Sequence, residues 1–280
     1  MNEVRDEALT MADAVAQVRQ SATKLQVESA GLVWNVLERG AGEKTLVFLP
    51  GALGTVEIFS KQIIHFSPQL RVIVLGYPGE SSKSKMTDSF YRLLDTLDVK
   101  RAGFVGSSLG AYWMQVFSHE CDERIDSLVL ANTFVDAEPL QANPLFSRAM
   151  LEKCSANEVK ERWVGFLHTM PESELKAAQL AMVIPDQTAG ELKGRLTTVA
   201  HSTYVPLSRV PADKLTILTC DDDAITHGAM GEALRLAYRR APQISLPFGG
   251  HYPYVMNEKG YNKVVTHACG VDIQTDMTFI

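Results

Sequence analysis

The sequence lacks the features that would identify a membrane-spanning, metal-binding or nucleic-acid-binding protein. Its four cysteines show no CxxC pair and no regular spacing, which disfavours a zinc cluster and a disulfide framework. Lysine and arginine are scattered through a chain of net charge −6, so bulk electrostatic binding to nucleic acid or to an acidic membrane is disfavoured. No apolar stretch reaches the roughly 18 residues that a membrane span requires.

The amino terminus also lacks the pattern of a secretion signal. The stretch MNEVRDEALTMADAVAQV mixes acidic and small apolar residues, without a basic start or a long apolar run. Motifs that bind metals or phosphates, such as HExxH and GxxxxGK[ST], do not occur, so we expect neither a metal nor a cofactor. We therefore expect a soluble, cytoplasmic protein. Its 280 residues, 46% of them hydrophobic, suit one large α/β domain or a domain with an insertion.

Strand and helix patterns alternate from residue 45 to residue 134. Apolar runs such as TLVFLP (45–50) and AGFVGSS (102–108) are typical of strands that are buried on both faces. Segments with helical spacing follow the strands, and FYRLLDTLDV predicts a helix over 90–99. The sequence therefore predicts an α/β protein with a mostly parallel central sheet flanked by helices.

The alternation stops between residues 137 and 207, where consecutive segments have helical spacing, among them ESELKAAQLAMVI (172–184). It resumes at the apolar run LTILTC (215–220). A helical block inserted at the sheet edge where ligands bind indicates a cap. The expected parts are an N-terminal helix in 1–22 that packs on or extends from the core, a core in 23–136 and 208–280, and a helical cap in 137–207.

A candidate nucleophile lies in GSSLG, residues 106–110, between a predicted strand and a predicted helix. The pattern GxSxG has Ser108 at its centre. Such a serine occupies a sharp, strained turn, and small flanking residues let the strand and the helix approach each other. The competing interpretation is that Ser108 only opens the helix, as serine often does. A five-residue pattern is weak evidence for a nucleophile by itself. The assignment therefore depends on whether the sequence also offers a base and an acid.

A serine hydroxyl needs a base, and that base needs an orienting acid. His251 follows the predicted strand ISLPF and two glycines near the end of the sheet, where this architecture delivers its base. Three acidic residues, Asp221, Asp222 and Asp223, follow the strand LTILTC. The order Ser, Asp, His along the chain is the order of a known hydrolase fold. A surface-loop histidine and a solvated acidic loop are the competing interpretations.

Negative charge that develops in an acyl-transfer reaction needs two backbone donors. The N–H of Leu109, next to the serine, is one candidate, and the N–H of Ala52 in the loop PGALGT is the other. Leu53, Trp163, Phe166 and Tyr252 are candidates for the substrate pocket. For Trp163 and Phe166 the competing interpretation is packing within the cap at helical spacing.

Several segments resemble the α/β-hydrolase superfamily in sequence and in order, across residues 25 to 268: FLPGALGTVEIFSKQI, VIVLGYPG, FVGSSLGAYWMQVF, LVLANTF, LTILTCDDDAI and LPFGGHYPYV. The Leu-Pro after the third strand and the LANTF segment resemble the maspardin-like group in particular. The resemblance implies an α/β-hydrolase fold, with His251 as the base and Asp223 as the acid. Asp222 remains the second choice for the acid.

This resemblance leaves several functions open. The first is a serine hydrolase that cleaves a carboxylic ester or related acyl bond of a small, hydrophobic substrate. The second is a non-catalytic binding or scaffold protein, because members of the maspardin-like group have such roles and the group's namesake has no histidine at the position of His251. Hydrolysis of a C–C bond or a lactone, and acyl transfer, are further alternatives on the same residues. A protein partner or homodimer is possible but not indicated.

Overall fold

In the described part of the chain, eight strands form one central sheet. A computed structural model describes residues 9–271 except 203 and 227, and the side chains of these residues except 183 and 184. The strands are β1 (Thr23–Ser29), β2 (Leu32–Arg39), β3 (Thr45–Leu49), β4 (Arg71–Gly76), β5 (Ala102–Ser107), β6 (Ile125–Ala131), β7 (Leu215–Cys220) and β8 (Gln243–Leu246). Their order is β1-β2-β4-β3-β5-β6-β7-β8. The predicted α/β class is confirmed.

The strand directions divide the sheet into an antiparallel edge and a parallel body. β2 pairs antiparallel with both β1 and β4, whereas every pair from β4 through β3 and β5 to β8 is parallel. The hairpin of β1 and β2 turns at Ala30 and Gly31, which both have positive φ angles, of 48° and 74°, as the tight turn of a hairpin requires. β5 is buried along its whole length because helices cover both faces, so its sequence is a continuous apolar run.

Helices cover both faces of this sheet. The α-helices are α1 (Met11–Ser21), α2 (Ser60–Phe66), α3 (Lys83–Thr96), α4 (Leu109–Glu120), α5 (Arg148–Lys153), α6 (Ala156–Thr169), α7 (Glu174–Ala178), α8 (Ile184–Asp186), α9 (Ala189–Ala200), α10 (Ala229–Ala237), α11 (Pro253–Met256) and α12 (Glu258–Ala268). Short 3-10 turns occupy Val56–Phe59, Glu138–Ala142, Pro144–Phe146 and Ala212–Lys214. In the described part of the chain, no helix combines the length and the apolar character that crossing a membrane requires.

The prediction for α3 was wrong at both ends, because the helix covers Lys83–Thr96 rather than 90–99. Its first turns are polar and give no apolar periodicity, with Met86 as an early buried residue. The start is set by Ser82, whose hydroxyl accepts a hydrogen bond from the backbone N–H of Lys85. Such an N-cap satisfies a donor that the first helical turn leaves without a partner.

Residues 137–207, which we call the helical segment, connect β6 to β7 and contain α5 to α9. The segment 172–184, which has helical spacing, is helical from Glu174 onward but does not form one regular α-helix. α7 ends at Ala178 and is followed by a π-helical turn, Gln179–Val183, directly before α8. Pro185 explains the irregularity, because proline lacks an N–H and its ring clashes with the carbonyl four residues earlier in a regular helix.

The N-terminal helix packs on the rest of the protein. α1 buries Met11, Ala14, Val15 and Val18, and it contacts α2 and α7. Residues 1–8 of the predicted N-terminal part, 1–22, lie outside the described residues.

Candidate active site

Ser108 occupies the turn between β5 and α4, in a backbone conformation that residues other than glycine rarely adopt. Its φ and ψ angles are 52° and −119°. A Cβ atom on Gly106 would stand 2.5 Å from Cα of Ala111, and one on Gly110 would stand 2.2 Å from the carbonyl oxygen of Leu49. Both positions therefore exclude larger residues, and the GxSxG spacing follows from the close approach of α4 to the sheet. Strain of this kind persists where the surrounding structure enforces it, often at functional sites.

The two adjacent serines lie in different environments. Ser107 ends β5 and is buried, with its hydroxyl 3.4 Å from the hydroxyl of Tyr261. Ser108 lines a cavity and has its Oγ 2.9 Å from Nε2 of His251. Of the two hydroxyls, the one that faces the cavity is therefore that of Ser108.

His251 lies on the loop between β8 and α11. Its Nδ1 is 3.1 Å and 3.0 Å from the two carboxylate oxygens of Asp223, on the side of the ring opposite Ser108. The preceding Gly249 and Gly250 have φ angles of 140° and 56° and donate their N–H groups to the carboxylate of Asp222, at 3.2 Å and 2.7 Å. Asp222 thus fixes the turn that carries His251, whereas Asp223 contacts the imidazole itself.

Asp223 is held ionised by its neighbours. Burial alone would raise its pKa, but His251 and hydrogen bonds from His251, Thr226 and Asn132 together bring the pKa of Asp223 below its ordinary value. Thr226 donates its hydroxyl at 2.6 Å and its N–H at 3.1 Å, and Ile225 donates its N–H at 2.8 Å. A buried carboxylate at Nδ1 holds the imidazole in the tautomer whose Nε2 accepts a proton.

Asn132 is a site residue to which sequence reasoning gave no role. It is buried at the end of β6 with a φ of 45°, and its amide donates to Asp223 at 2.8 Å and to the carbonyl of Gly250 at 3.1 Å. It therefore ties the acid to the turn that carries His251. The segment LANTF drew attention to this residue only as a resemblance, because the sequence alone does not show that β6 ends beside the loop after β7.

The two candidate acids can be separated by substitution. Because the sequence predicts a serine hydrolase that cleaves esters, Asp223→Asn is expected to lower kcat/KM for an ester about 10⁴-fold, since an amide at this position favours the wrong imidazole tautomer. Asp222→Asn is the matched control and is expected to cost less than about tenfold, since it removes an acceptor from the turn and not the partner of the ring. Steady-state kinetics with both variants measures the difference, and equal losses would contradict this assignment.

The loop after β3, residues 51–54, passes directly beside Ser108, and we call it the β3 loop. A Cβ atom on Gly51 would stand 3.2 Å from Cβ of Ser108. Ala52 and Leu53 line the same cavity as Ser108. Leu109 is the first residue of α4, so its N–H belongs to the four that a helix leaves without an internal partner. The two predicted backbone donors thus approach Ser108 from the β3 loop and from the start of α4.

A cavity of about 490 Å³ opens at Ser108, and its walls are mainly apolar. Leu53, Trp163, Phe166 and Tyr252, the four predicted pocket residues, all line it. Trp163 and Leu53 are also buried, whereas Phe166 is exposed at the wall, together with Phe248. None of the described residues that line the cavity is a lysine or an arginine. The described residues also contain no cluster of side chains suited to hold a metal ion.

Comparison with known proteins gives both a family and individual relatives. Residues 44–188 match the model of the family with the alpha/beta hydrolase fold. Human maspardin is 26% identical over 241 residues, covering 83% of this chain and 78% of maspardin. A 2-hydroxy-6-oxononadienedioate/2-hydroxy-6-oxononatrienedioate hydrolase of Paraburkholderia phymatum is 32% identical over 107 residues, covering 33% of this chain and 37% of that protein.

Among solved structures, the carboxylesterase CesB from Bacillus subtilis superimposes with a TM-score of 0.66 at 16% sequence identity. The match covers 93% of this chain and 97% of that one. At this identity the likeness concerns the fold alone, and it agrees with the sheet order and the serine turn described above.

Proposed function

The chain belongs to the α/β-hydrolase family, and from the arrangement at Ser108 we propose that it is a serine hydrolase. Its substrate would be a carboxylic ester, or a related acyl compound, with a small hydrophobic acyl group. The observation that carries the proposal is the unbroken series of hydrogen bonds from Ser108 through His251 to Asp223. The position of Ser108 at an apolar cavity adds further support.

The proposed acylation step uses each of these groups once. Oγ of Ser108 attacks the acyl carbon while Nε2 of His251 takes its proton, and Asp223 stabilises the imidazolium that forms. The N–H groups of Ala52 and Leu109 stabilise the oxyanion of the tetrahedral intermediate. As the intermediate collapses, the C–O bond of the ester breaks and His251 gives its proton to the leaving alcohol.

Deacylation repeats the same steps with water as the nucleophile. His251 takes a proton from a water molecule, which attacks the acyl-enzyme, and the second intermediate collapses to release the carboxylic acid. The proton on His251 returns to Oγ of Ser108. The net reaction is ester plus water to acid plus alcohol, and no cofactor is required.

The apolar wall predicts how activity depends on the acyl group. With p-nitrophenyl esters of increasing chain length, kcat/KM is expected to rise by up to about fourfold per methylene while the cavity still buries it, because each buried methylene contributes about 0.8 kcal/mol. A hemisuccinate ester is the matched control for the butyrate ester. It is expected to react more slowly, because its carboxylate meets no lysine or arginine among the described residues that line the cavity. A response that ignores chain length, or a preference for hemisuccinate, would contradict the proposed substrate class.

The apolar lining of the cavity also argues against C–C bond hydrolysis of a dicarboxylate substrate. The relative from Paraburkholderia phymatum is named for dioate substrates, which carry two carboxylates. The described residues that line the cavity include no lysine or arginine to pair with such charges. We therefore place simple esters ahead of C–C bond hydrolysis, while lactone opening and acyl transfer use the same residues and are separated by product analysis.

A non-catalytic binding role is the second candidate, because the relatives that match most of the chain are named maspardin. We place it behind hydrolysis because a pure binding protein needs no proton-transfer chain between Ser108 and Asp223. We further propose that the helical segment acts as a cap over the cavity, since Trp163 and Phe166 of α6 line it. A cytoplasmic location is proposed in addition, and the four free cysteines are consistent with it.

A further inference from the structure

Tyr77 lies just after β4 and is fully buried beneath the β3 loop. Its hydroxyl oxygen lies 2.7 Å from the carbonyl oxygen of Pro50 and 3.0 Å from that of Gly51, and its single hydrogen is shared between these two acceptors. Burial raises the pKa of Tyr77 well above its ordinary value, so the hydroxyl keeps its proton and remains a donor. The hydroxyl therefore anchors the beginning of the loop that carries Ala52.

The hydrogen bond to Gly51 acts directly on the proposed oxyanion donor. The carbonyl of Gly51 and the N–H of Ala52 belong to the same peptide unit, which is planar. Fixing the direction of that carbonyl therefore also fixes the direction of the N–H. A hydrogen bond accepted by the carbonyl also polarises the unit and strengthens the N–H as a donor.

Arg195, from α9 of the helical segment, holds the other end of the β3 loop. Its Nε donates to the carbonyl of Ala52 at 3.0 Å and its Nη1 donates to the carbonyl of Tyr77 at 2.8 Å. The side chain is 3% exposed, and no carboxylate of a described residue lies within 4.0 Å of its guanidinium. A buried guanidinium that bonds to loop carbonyls is positioned to order the loop rather than to form an ion pair.

The backbone around Arg195 is fitted closely to both loops. A Cβ atom on Gly54 would stand 2.4 Å from Cζ of Arg195, so the guanidinium lies flat against this glycine. A Cβ atom on Gly194 would stand 2.3 Å from the carbonyl oxygen of Gly79, in the loop after β4. α9 is thus fixed against the loops that follow β3 and β4, and the helical segment is linked mechanically to the loop beside Ser108.

We propose that Tyr77 and Arg195 are positioning residues that orient the Ala52 N–H toward the oxyanion. Neither side chain lines the cavity, so neither is expected to contact the substrate. Their effect acts on the transition state, where the oxyanion is present, and leaves binding of the ground state almost unchanged. The inference rests on the proposed hydrolase function and adds that the helical segment sets the geometry of the proposed oxyanion hole.

The test compares Tyr77→Phe and Arg195→Lys with two matched controls. Tyr91→Phe removes a hydroxyl that likewise donates to two backbone carbonyls, and Arg148→Lys alters a guanidinium that donates to a backbone carbonyl within the helical segment. With a p-nitrophenyl ester, Tyr77→Phe and Arg195→Lys are each expected to lower kcat about 10- to 100-fold, with KM within about twofold. The controls are expected to stay within about twofold of the wild type.

A second readout separates positioning from a general structural role. An alkyl trifluoromethyl ketone forms an adduct with the serine that carries an oxyanion, and its Ki should rise by the same factor by which kcat/KM falls. The product carboxylic acid should bind as tightly to the variants as to the wild type. Because Arg195→Lys reports on the same loop independently, loss of folding in one variant does not remove the test.

The outcomes also separate this inference from the proposed function. A wild type that hydrolyses esters, with Tyr77→Phe and Arg195→Lys as active as the controls, overturns the positioning role and leaves the hydrolase proposal intact. A lower kcat with an unchanged Ki for the ketone also overturns it. A wild type that neither hydrolyses an ester nor binds the ketone overturns the proposed function itself.

Discussion

Ser108→Ala is expected to lower kcat/KM for ester hydrolysis by about 10⁵- to 10⁶-fold, the loss that follows removal of a nucleophile from a coupled unit. The physical reason is that alanine has no oxygen to attack the acyl carbon, while the cavity and the backbone donors remain. Some residual rate above that of water is therefore expected, from substrate binding and oxyanion stabilisation. Initial rates with a p-nitrophenyl ester at high enzyme concentration measure this loss.

Ser107→Ala is the matched control, because it deletes the same hydroxyl one residue earlier in the chain. Ser107 faces Tyr261 in the interior and does not line the cavity. We expect its rate to stay within a few fold of the wild type, with a loss of about 1 kcal/mol in the free energy of unfolding for the buried hydroxyl. Activity that survives Ser108→Ala and disappears in Ser107→Ala would reverse the assignment of the nucleophile.

His251→Ala is expected to reduce kcat/KM as strongly as Ser108→Ala, because the serine hydroxyl is a weak nucleophile without a base at 2.9 Å. The effects of the two substitutions on kcat/KM are also expected to be non-additive. The double variant of Ser108 and His251 is expected to be about as inactive as either single variant, since each removes the same unit.

His201→Ala serves as the control for the histidine, because His201 is exposed at the end of α9 and bonds to a carbonyl within its own helix. It is expected to keep nearly full activity. A variant of His251 that retained more than about one hundredth of the wild-type rate would contradict the role of His251 as the base. Rates of both variants should be compared after circular dichroism has shown equal folded content.

The parts of the fold that the sequence revealed are those whose signal is local. β3 and β5 lie between layers of helices, so their residues are apolar on both faces and the runs are visible without a structure. The turn at residues 106–110 is recognisable because glycine is the residue that permits the contacts of α4 with the sheet. The start of α3 was missed because a cap by Ser82, not apolar periodicity, determines it.

Within the candidate site, the sequence identified the side chains that we propose to react, but not the side chains that hold them in place. Ser108, Asp223 and His251 follow separate strands in a recognisable order, and the structure brings them into contact. Asn132 and Arg195 act through contacts with residues about 90 to 140 positions away in the chain. Such pairings depend on how the strands and the helical segment pack against each other. Local sequence patterns do not predict these contacts.

The choice between Asp222 and Asp223 also could not be made from local sequence patterns, although the two residues are adjacent. Both residues follow β7 and both are acidic, so composition cannot rank them. The difference arises in three dimensions, where Asp222 accepts from the backbone of Gly249 and Gly250 and Asp223 meets the imidazole. Two residues that are adjacent in one loop therefore differ in their contacts, one with the backbone of the turn and the other with the imidazole of His251.

Covalent labelling of the folded wild-type protein with a fluorophosphonate tests the central claim most directly. A hydroxyl activated by His251 attacks phosphorus and expels fluoride, so mass spectrometry of the digested protein is expected to find the phosphonyl group on Ser108. Labelling should disappear in Ser108→Ala, persist in Ser107→Ala and slow strongly in His251→Ala. A folded wild-type protein that remains unlabelled, or that carries the label on another residue, would contradict the proposal that Ser108 is an activated nucleophile.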